Sequence, residues 1–197
     1  MASAMPAFHE AMRALDAVHA RDPRFVGCDG EQVPEELDYA RRMSAALAQV
    51  DPDASLALRL AVRAQHLERW SLPRVDYPAG PAGYHRWRNE QKSRHAALAS
   101  DVLAGAGVDA PTIARVAELV QKKNLRRDPE TQALEDAACL VFIEAQLANF
   151  AEGRDESSLI SIVQKTWAKM SPKAQALALA LPLAEDVRAL LERALAG

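Results

Sequence analysis

The chain is short of the residue types that announce a known chemistry. Its two cysteines, Cys28 and Cys139, stand far apart and in no metal-ligand spacing. That leaves no disulfide framework and no zinc ribbon, and reduced thiols in a cytoplasmic protein are the expectation. Aromatic residues make up only 5% of the chain, and β-branched residues are scattered, which disfavours a sheet. No apolar run approaches about 18 residues, so no membrane span is expected. Polar and charged residues run through the N-terminal segment, where a signal peptide would be apolar. Neither sign of charge dominates: 24 basic and 27 acidic side chains give a net charge of −3. A general nucleic-acid binder carries a large positive excess instead. A glycine-rich phosphate loop, a Cys–His or Ser–His–Asp nucleophile and a glycosidase-like pair of acids are all missing. So are internal repeats, low-complexity tracts and heptads.

What is present is alanine, leucine and a balanced set of charges. A chain of 197 residues with 49% hydrophobic and 26% charged side chains forms one good core rather than a disordered tail. Apolar residues recur at helical spacing, with breaks at Asp22-Pro23, Asp51-Pro52, Asp128-Pro129, Ser171-Pro172 and Leu181-Pro182. The pattern predicts about eight or nine helices in a single all-α domain over residues 1–197. Segments 6–20, 34–50, 54–70, 84–106, 110–123, 130–151, 156–170, 172–180 and 185–196 are the helical ones. FVGCDGEQV, from Phe25 to Val33, reads as a loop, and so does the proline- and glycine-rich stretch from Ser71 to Gly83. An irregular connection of that length is more often functional than not.

The stretch from Ala64 to His95 stands out. It carries His66 and His95 near its ends, with Trp70, Tyr77, Tyr84, Trp87 and many arginines between them. On the helix expected over 54–70, Arg59, Arg63, His66 and Trp70 are spaced four, three and four and share a side. Arg59, Arg63 and Arg69, with Arg86, Arg88 and Lys92 from the next helix, are interleaved with flat rings and have the composition of a surface for phosphate or carboxylate and for a stacked base or sugar. The plainer alternative is a solvated helix face with ion pairs to Glu68 and Glu90. His66, His95 and Asp136 each fall near the inner face of a predicted helix. Together they make a donor set suited to iron, manganese, nickel or zinc. Histidines on helices are also common as hydrogen-bonded core residues. The run Lys122-Lys123-Asn124-Leu125-Arg126-Arg127 reads as a cationic helix end favoured by the helix dipole, and Cys139 as inert core.

The segments Tyr39-Ala-Arg-Arg-Met43, Ala64-Gln-His-Leu-Glu-Arg-Trp70, Gly83-Tyr-His-Arg-Trp-Arg88, Lys122-Lys-Asn-Leu125 and Leu134-Glu-Asp-Ala-Ala-Cys-Leu-Val141 together resemble the bacterial and eukaryotic family catalogued as domain of unknown function 4202. The resemblance covers nearly the whole chain. It implies a single all-helical domain and no established activity. More faintly, the order of segments is similar to that of the helical metal-dependent phosphohydrolases named for a His-Asp doublet. That resemblance would put His66 at the doublet, His95 at a later histidine and Asp136 at the final aspartate. It departs from the pattern where the first histidine falls on Arg41 or Arg42, and where the doublet reads Gln65-His66 or His66-Leu67.

Three functions are therefore expected to compete. The first is metal-assisted hydrolysis of a nucleotide or other small phosphoester. His66, His95 and Asp136 would hold the divalent ion, Glu68 or Glu135 would act as base, and Arg41, Arg42, Arg63 and Arg88 would grip phosphate. The second is non-catalytic binding of a nucleotide or RNA end by the same arginines, with Trp70 and Trp87 as stacking platforms. The third is a helical interaction protein whose buried polar residues are structural.

Overall fold

The computed structural model describes residues 4–28, 30–125, 127–151 and 153–196. Arg126 and the thiol of Cys28, read above from sequence, lie outside the described side chains. In chain order the elements are α1 (Ala4–His19), β1 (Phe25–Cys28), β2 (Glu31–Pro34), α2 (Glu35–Val50), α3 (Leu56–Arg63) and α4 (Gly80–Gly105). They continue with α5 (Ala110–Val120), α6 (Pro129–Val141), α7 (Leu147–Ala151), α8 (Glu156–Trp167), α9 (Pro172–Ala180) and α10 (Glu185–Ala196). Two 3-10 turns, Arg69–Ser71 and Arg74–Asp76, lie between α3 and α4, and a π turn over Phe142–Gln146 joins α6 to α7. The architecture is all-α apart from one small hairpin. No helix among the described residues is long and apolar enough to cross a membrane.

The helix starts follow from local chemistry. Ser55, Asp109, Asp128, Asp155 and Ser171 each accept a backbone N–H of the first turn of the helix they precede. Such a cap stabilises by about 1 kcal/mol. Prolines open α4, α5, α6 and α9, where a missing N–H costs nothing.

At the centre α2 lies along α6, and α3 and α5 pack alongside. Leu15, Met43, Leu58, Leu60, Leu67, Leu103, Leu119, Leu134 and Ile143 are sealed inside this core. A smaller cluster of Leu147, Leu159, Val163, Leu190 and Leu191 closes α7, α8 and α10 together, and Phe142, Trp167 and Leu183 touch both clusters.

The described residues hold ten α-helices where eight or nine were expected, because the expected helix over 130–151 is divided by the π turn into α6 and α7. Two further elements depart from the sequence reading. Phe25 to Val33, read as a loop, belongs to an antiparallel hairpin that pairs Phe25 with Pro34 and Cys28 with Glu31. Its signal, an Asp-Gly dipeptide between short apolar stretches, is present in the sequence; Gly30 takes φ +85° there. The third helix, expected to run to Trp70, stops at Arg63. The Arg63 carbonyl, which in a continuing helix would accept an N–H from the next turn, accepts instead from Nε2 of buried His19 at 2.9 Å. The chain then turns through His66 and Glu68, both left-handed at φ 65° and 50°. Histidine is among the residues that adopt that conformation more readily, but glutamate has no local preference for it.

Candidate functional site

The early end of α3 builds the site. Because the chain leaves the helix axis after Arg63, His66 does not share a helical face with Arg63 and Trp70. It turns toward the N-terminus of α2 and the hairpin. Its ring stacks on Tyr39 of α2, with centroids 4.2 Å apart and planes 6° from parallel.

His66 Nδ1 lies 3.2 Å from Glu36 Oε2, and its Nε2 lies 3.3 Å from Arg69 Nη1. A guanidinium can only donate, so Nε2 is the lone-pair nitrogen and Nδ1–H donates to Glu36. The imidazole is thereby held neutral in one tautomer. Burial and the nearby charges of Arg69 and Lys122 agree, pushing its pKa well below the ordinary range.

Glu36 is itself held. Its Oε1 accepts Arg24 Nη2 at 3.0 Å, and its backbone N–H donates to Asp22 Oδ2 at 3.1 Å. Asp22 takes Arg24 as a fork, Nε at 3.0 Å and Nη2 at 2.8 Å. Burial opposes charge on Asp22, but these bonds overcome it and hold the carboxyl below its usual range. Burial raises Glu36, against the pull of Arg69 and Arg24. The result is a relay from Asp22 through Arg24, Glu36 and His66 to Arg69.

Arg69 is fixed from the other side by α4. Its guanidinium lies over the Trp87 ring, 4.8 Å from the centroid. Gln91 Nε2 donates to the carbonyls of Arg69 and Leu72 at 3.0 and 3.1 Å, and Trp87 Nε1 donates to that of Leu72 at 2.9 Å. The loop expected to be irregular is in this way fastened to α4.

These side chains open into a cavity of about 490 Å³. Arg24, Arg42, Arg69 and Arg154 line it, with the rings of Tyr39, Phe142 and Phe150 and the carboxylates of Glu35, Glu36 and Asp38. Arg24 is paired with Glu35 and Glu36, and Arg42 with Asp38. Among the described residues, no carboxylate lies within 4.0 Å of Arg69 or of Arg154, which rests over the Phe150 ring. The π turn forms part of the wall; such turns are frequent at functional sites.

The family described as domain of unknown function (DUF4202) matches residues 9–191. The chain belongs to it. No curated protein and no solved structure matches the chain, so within this DUF4202 protein the site is read from its own geometry.

The residues named from sequence divide into three groups. His66 and Arg42 line the cavity, and His95 sits behind it, its ring 6.0 Å from that of His66. Glu135 pairs with Lys122 and Lys169 away from the cavity lining, and Arg88 is half-buried on α4, also outside that lining. The rest go elsewhere. Arg63 is buried and forks Asp16 at 2.6 and 2.8 Å while bonding the Ala40 carbonyl, so it ties α1, α2 and α3 together. Glu68 faces Arg21 at 3.9 Å, Arg41 is exposed, and Trp70 is half-buried outside the cavity lining.

Asp136 accepts the backbone N–H of Ser171 at 2.8 Å, its hydroxyl at 2.6 Å and Gln132 Nε2 at 2.9 Å. It therefore serves the start of α9. With His66 Nε2 taken by Arg69 and Asp136 taken by Ser171, this donor set does not fit a divalent metal as arranged. Among the described residues no three His, Cys, Asp or Glu side chains come together to hold one. His95 Nε2, buried and without a partner, is the one donor of the set left over.

Sequence reasoning missed Asp22, Arg24, Glu36 and Tyr39 as site residues. Asp22 read only as part of the Asp22-Pro23 helix stop, and nothing in the sequence singled out Glu36.

Proposed function

We propose that this chain binds a small phosphorylated ligand, a nucleotide being the class that suits the aromatic walls, in the cavity between α2, the 3-10 turn at Arg69 and the π turn. The observation that carries this is Arg69: a guanidinium clamped by Trp87 and His66, facing a cavity, with no carboxylate within 4.0 Å among the described residues. A guanidinium held in place, with no carboxylate in direct contact among the described residues, suits phosphate oxygens. Where a metal–histidine site would place its ion on the free imidazole nitrogen, with a carboxylate behind the ring, Arg69 supplies the positive charge here. Phe142 and Phe150, both half-buried in the wall, offer rings for a base, and stacking contributes about 1–3 kcal/mol per base.

A second reading rests on the Glu36–His66 pair. A neutral imidazole oriented by a carboxylate is the arrangement of a general base. With Arg69 turned from His66 Nε2 onto a phosphoester, that nitrogen would be freed to take a proton from an attacking water, giving hydrolysis by the protein's own groups.

The test is thermal unfolding and calorimetry with inorganic phosphate and with nucleoside mono-, di- and triphosphates in a chelating buffer. The expected result is saturable stabilisation, with Arg69→Gln weakening binding about tenfold or more. Turnover in the same buffer, abolished in His66→Gln, would select the hydrolase reading. Absence of any phosphate or nucleotide response would overturn both. One equivalent of iron, manganese, nickel or zinc, lost in His95→Ala, would restore the metal-dependent phosphohydrolase.

A further inference from the structure

A second cavity, of about 320 Å³, opens between α1, the C-terminal half of α2 and the turn into α3. It shares no lining residue with the cavity at Arg69, and its size is at the small end of those that hold small molecules. Phe8 and Met12 from α1, Leu47 and Ala48 from α2, and Pro52 and Ala54 from the turn make its wall chiefly apolar. Phe8 and Met12 stand half-buried there, whereas Leu15, one turn further along α1, is sealed in the core. Apolar side chains left at an open wall mark a place where something apolar binds.

Three polar side chains complete the lining: Ser44, Asp51 and Arg59. Ser44 is spent, since its hydroxyl donates to the Ala40 carbonyl at 3.1 Å and accepts Arg63 Nη1 at 3.2 Å. Asp51 and Arg59 are not. Arg59 Nη2 donates to the Pro52 carbonyl at 3.1 Å, which sets the guanidinium beside the residue that follows Asp51. The backbone of Asp51 is pinned on both sides, its N–H donating to the Leu47 carbonyl at 2.7 Å and its carbonyl accepting the Ala54 N–H at 3.2 Å. Among the described residues no carboxylate lies within 4.0 Å of Arg59 and no Lys or Arg nitrogen within 4.0 Å of Asp51, so the two do not pair with each other. The ammonium of Lys173, which reaches the same end of α2, is taken by the Val50 carbonyl at 2.5 Å.

One apolar well thus carries one carboxylate and one guanidinium, held apart on the same short turn and its following helix. We infer that this cavity binds a free α-amino acid with an apolar side chain. Arg59 takes the carboxylate, for which its fork of donors is suited. Asp51 takes the ammonium, and the side chain enters among Phe8, Met12 and Leu47, where the flexible thioether of Met12 adapts to its shape. A fatty acid would set its anion against Asp51, and an alkylamine would set its cation against Arg59. The zwitterion is the class that satisfies both charges and the apolar wall together.

The probes are L-leucine, L-methionine and L-phenylalanine, each titrated by calorimetry into the full chain. The site predicts one amino acid bound per chain, with glycine, N-acetyl-leucine and leucinamide each weaker than leucine by about tenfold or more. Arg59→Gln is expected to weaken leucine by the same factor, and its exposed position keeps the fold intact. Ala48→Trp, also at an exposed position, fills the cavity and should abolish binding with the melting temperature kept. No response to any of the three amino acids, equal binding of leucine and its acetyl or amide form, or binding unchanged in either variant overturns the inference. Arg69→Gln should leave leucine binding unaltered, so the nucleotide reading of the other cavity stands or falls by its own test.

Discussion

At the scale of single residues, Asp136 separates a structural carboxylate from a ligand. Both of its oxygens are engaged at the start of α9, and it is 2% exposed. Asp136→Ala is expected to lower stability by about 2 kcal/mol, read from urea unfolding, through the lost cap and an unpaired Ser171 N–H. Phosphate-induced stabilisation should stay unchanged. A loss of ligand response with stability intact would place Asp136 in the site after all. Cys139 belongs with the structural residues: burial, with the charge of Glu135 beside it, pushes its thiol up to about 12, so it is unreactive near neutral pH.

At the scale of elements, the segment between α3 and α4 is what holds Arg69. Arg74 closes it by donating to the carbonyls of Tyr77 and Pro78 at 2.9 Å each. Gly83, in the first turns of α4, lets the helix press against it, because a Cβ there would sit 1.9 Å from the Pro78 carbonyl oxygen. Gly83→Ala is therefore expected to displace the segment and destabilise by about 1–3 kcal/mol. The phosphate response should fall with it, as Gln91 loses its hold on the Arg69 carbonyl. Gly105→Ala, at the other end of α4, meets nothing within 4 Å. It should be neutral or stabilising by up to about 1 kcal/mol. Equal behaviour of the two variants in denaturation and phosphate titration would show that the segment is not braced by this contact.

At the scale of the molecule, three histidines are enclosed as neutral groups. Burial lowers His19, with the Arg63 carbonyl pulling the other way. Burial lowers His66 further, aided by Arg69, and brings His95 to about 2, aided by His66 and Arg69. Unfolded imidazoles take up protons below their ordinary 6.5 while the folded ones do not. The unfolded state then binds more protons, so stability is full above that pH and is lost as pH falls below it. Glu35 and Glu36, raised by burial, act in the opposite sense just above 4.5. Denaturation midpoints measured from about pH 7.5 to 5.5 should fall with acid, and His95→Gln should flatten the slope by up to about 1.4 kcal/mol per pH unit. A flat profile in the parent chain would mean these rings protonate in place.

The sequence by itself determined the all-α class, most helix starts and the family. Proline, aspartate and serine act on their own first turns, and apolar spacing reports the face of a helix wherever the chain stays helical. It also singled out the stretch from Ala64 to His95, within which His66, Arg69, Trp87 and Gln91 meet. It did not determine where α3 ends, because the competing donor for that helix's carbonyl belongs to His19, a helix and a hairpin away. From that one long-range hydrogen bond follow the left-handed turn at His66, the meeting of His66 with Glu36 and Arg69, and the diversion of Arg63 to Asp16. Nor did it give Asp136 its partner, since Ser171 lies beyond α8 in the chain. Tertiary structure decided which polar residues met, because a buried charge goes to whichever partner the packing brings within a hydrogen bond.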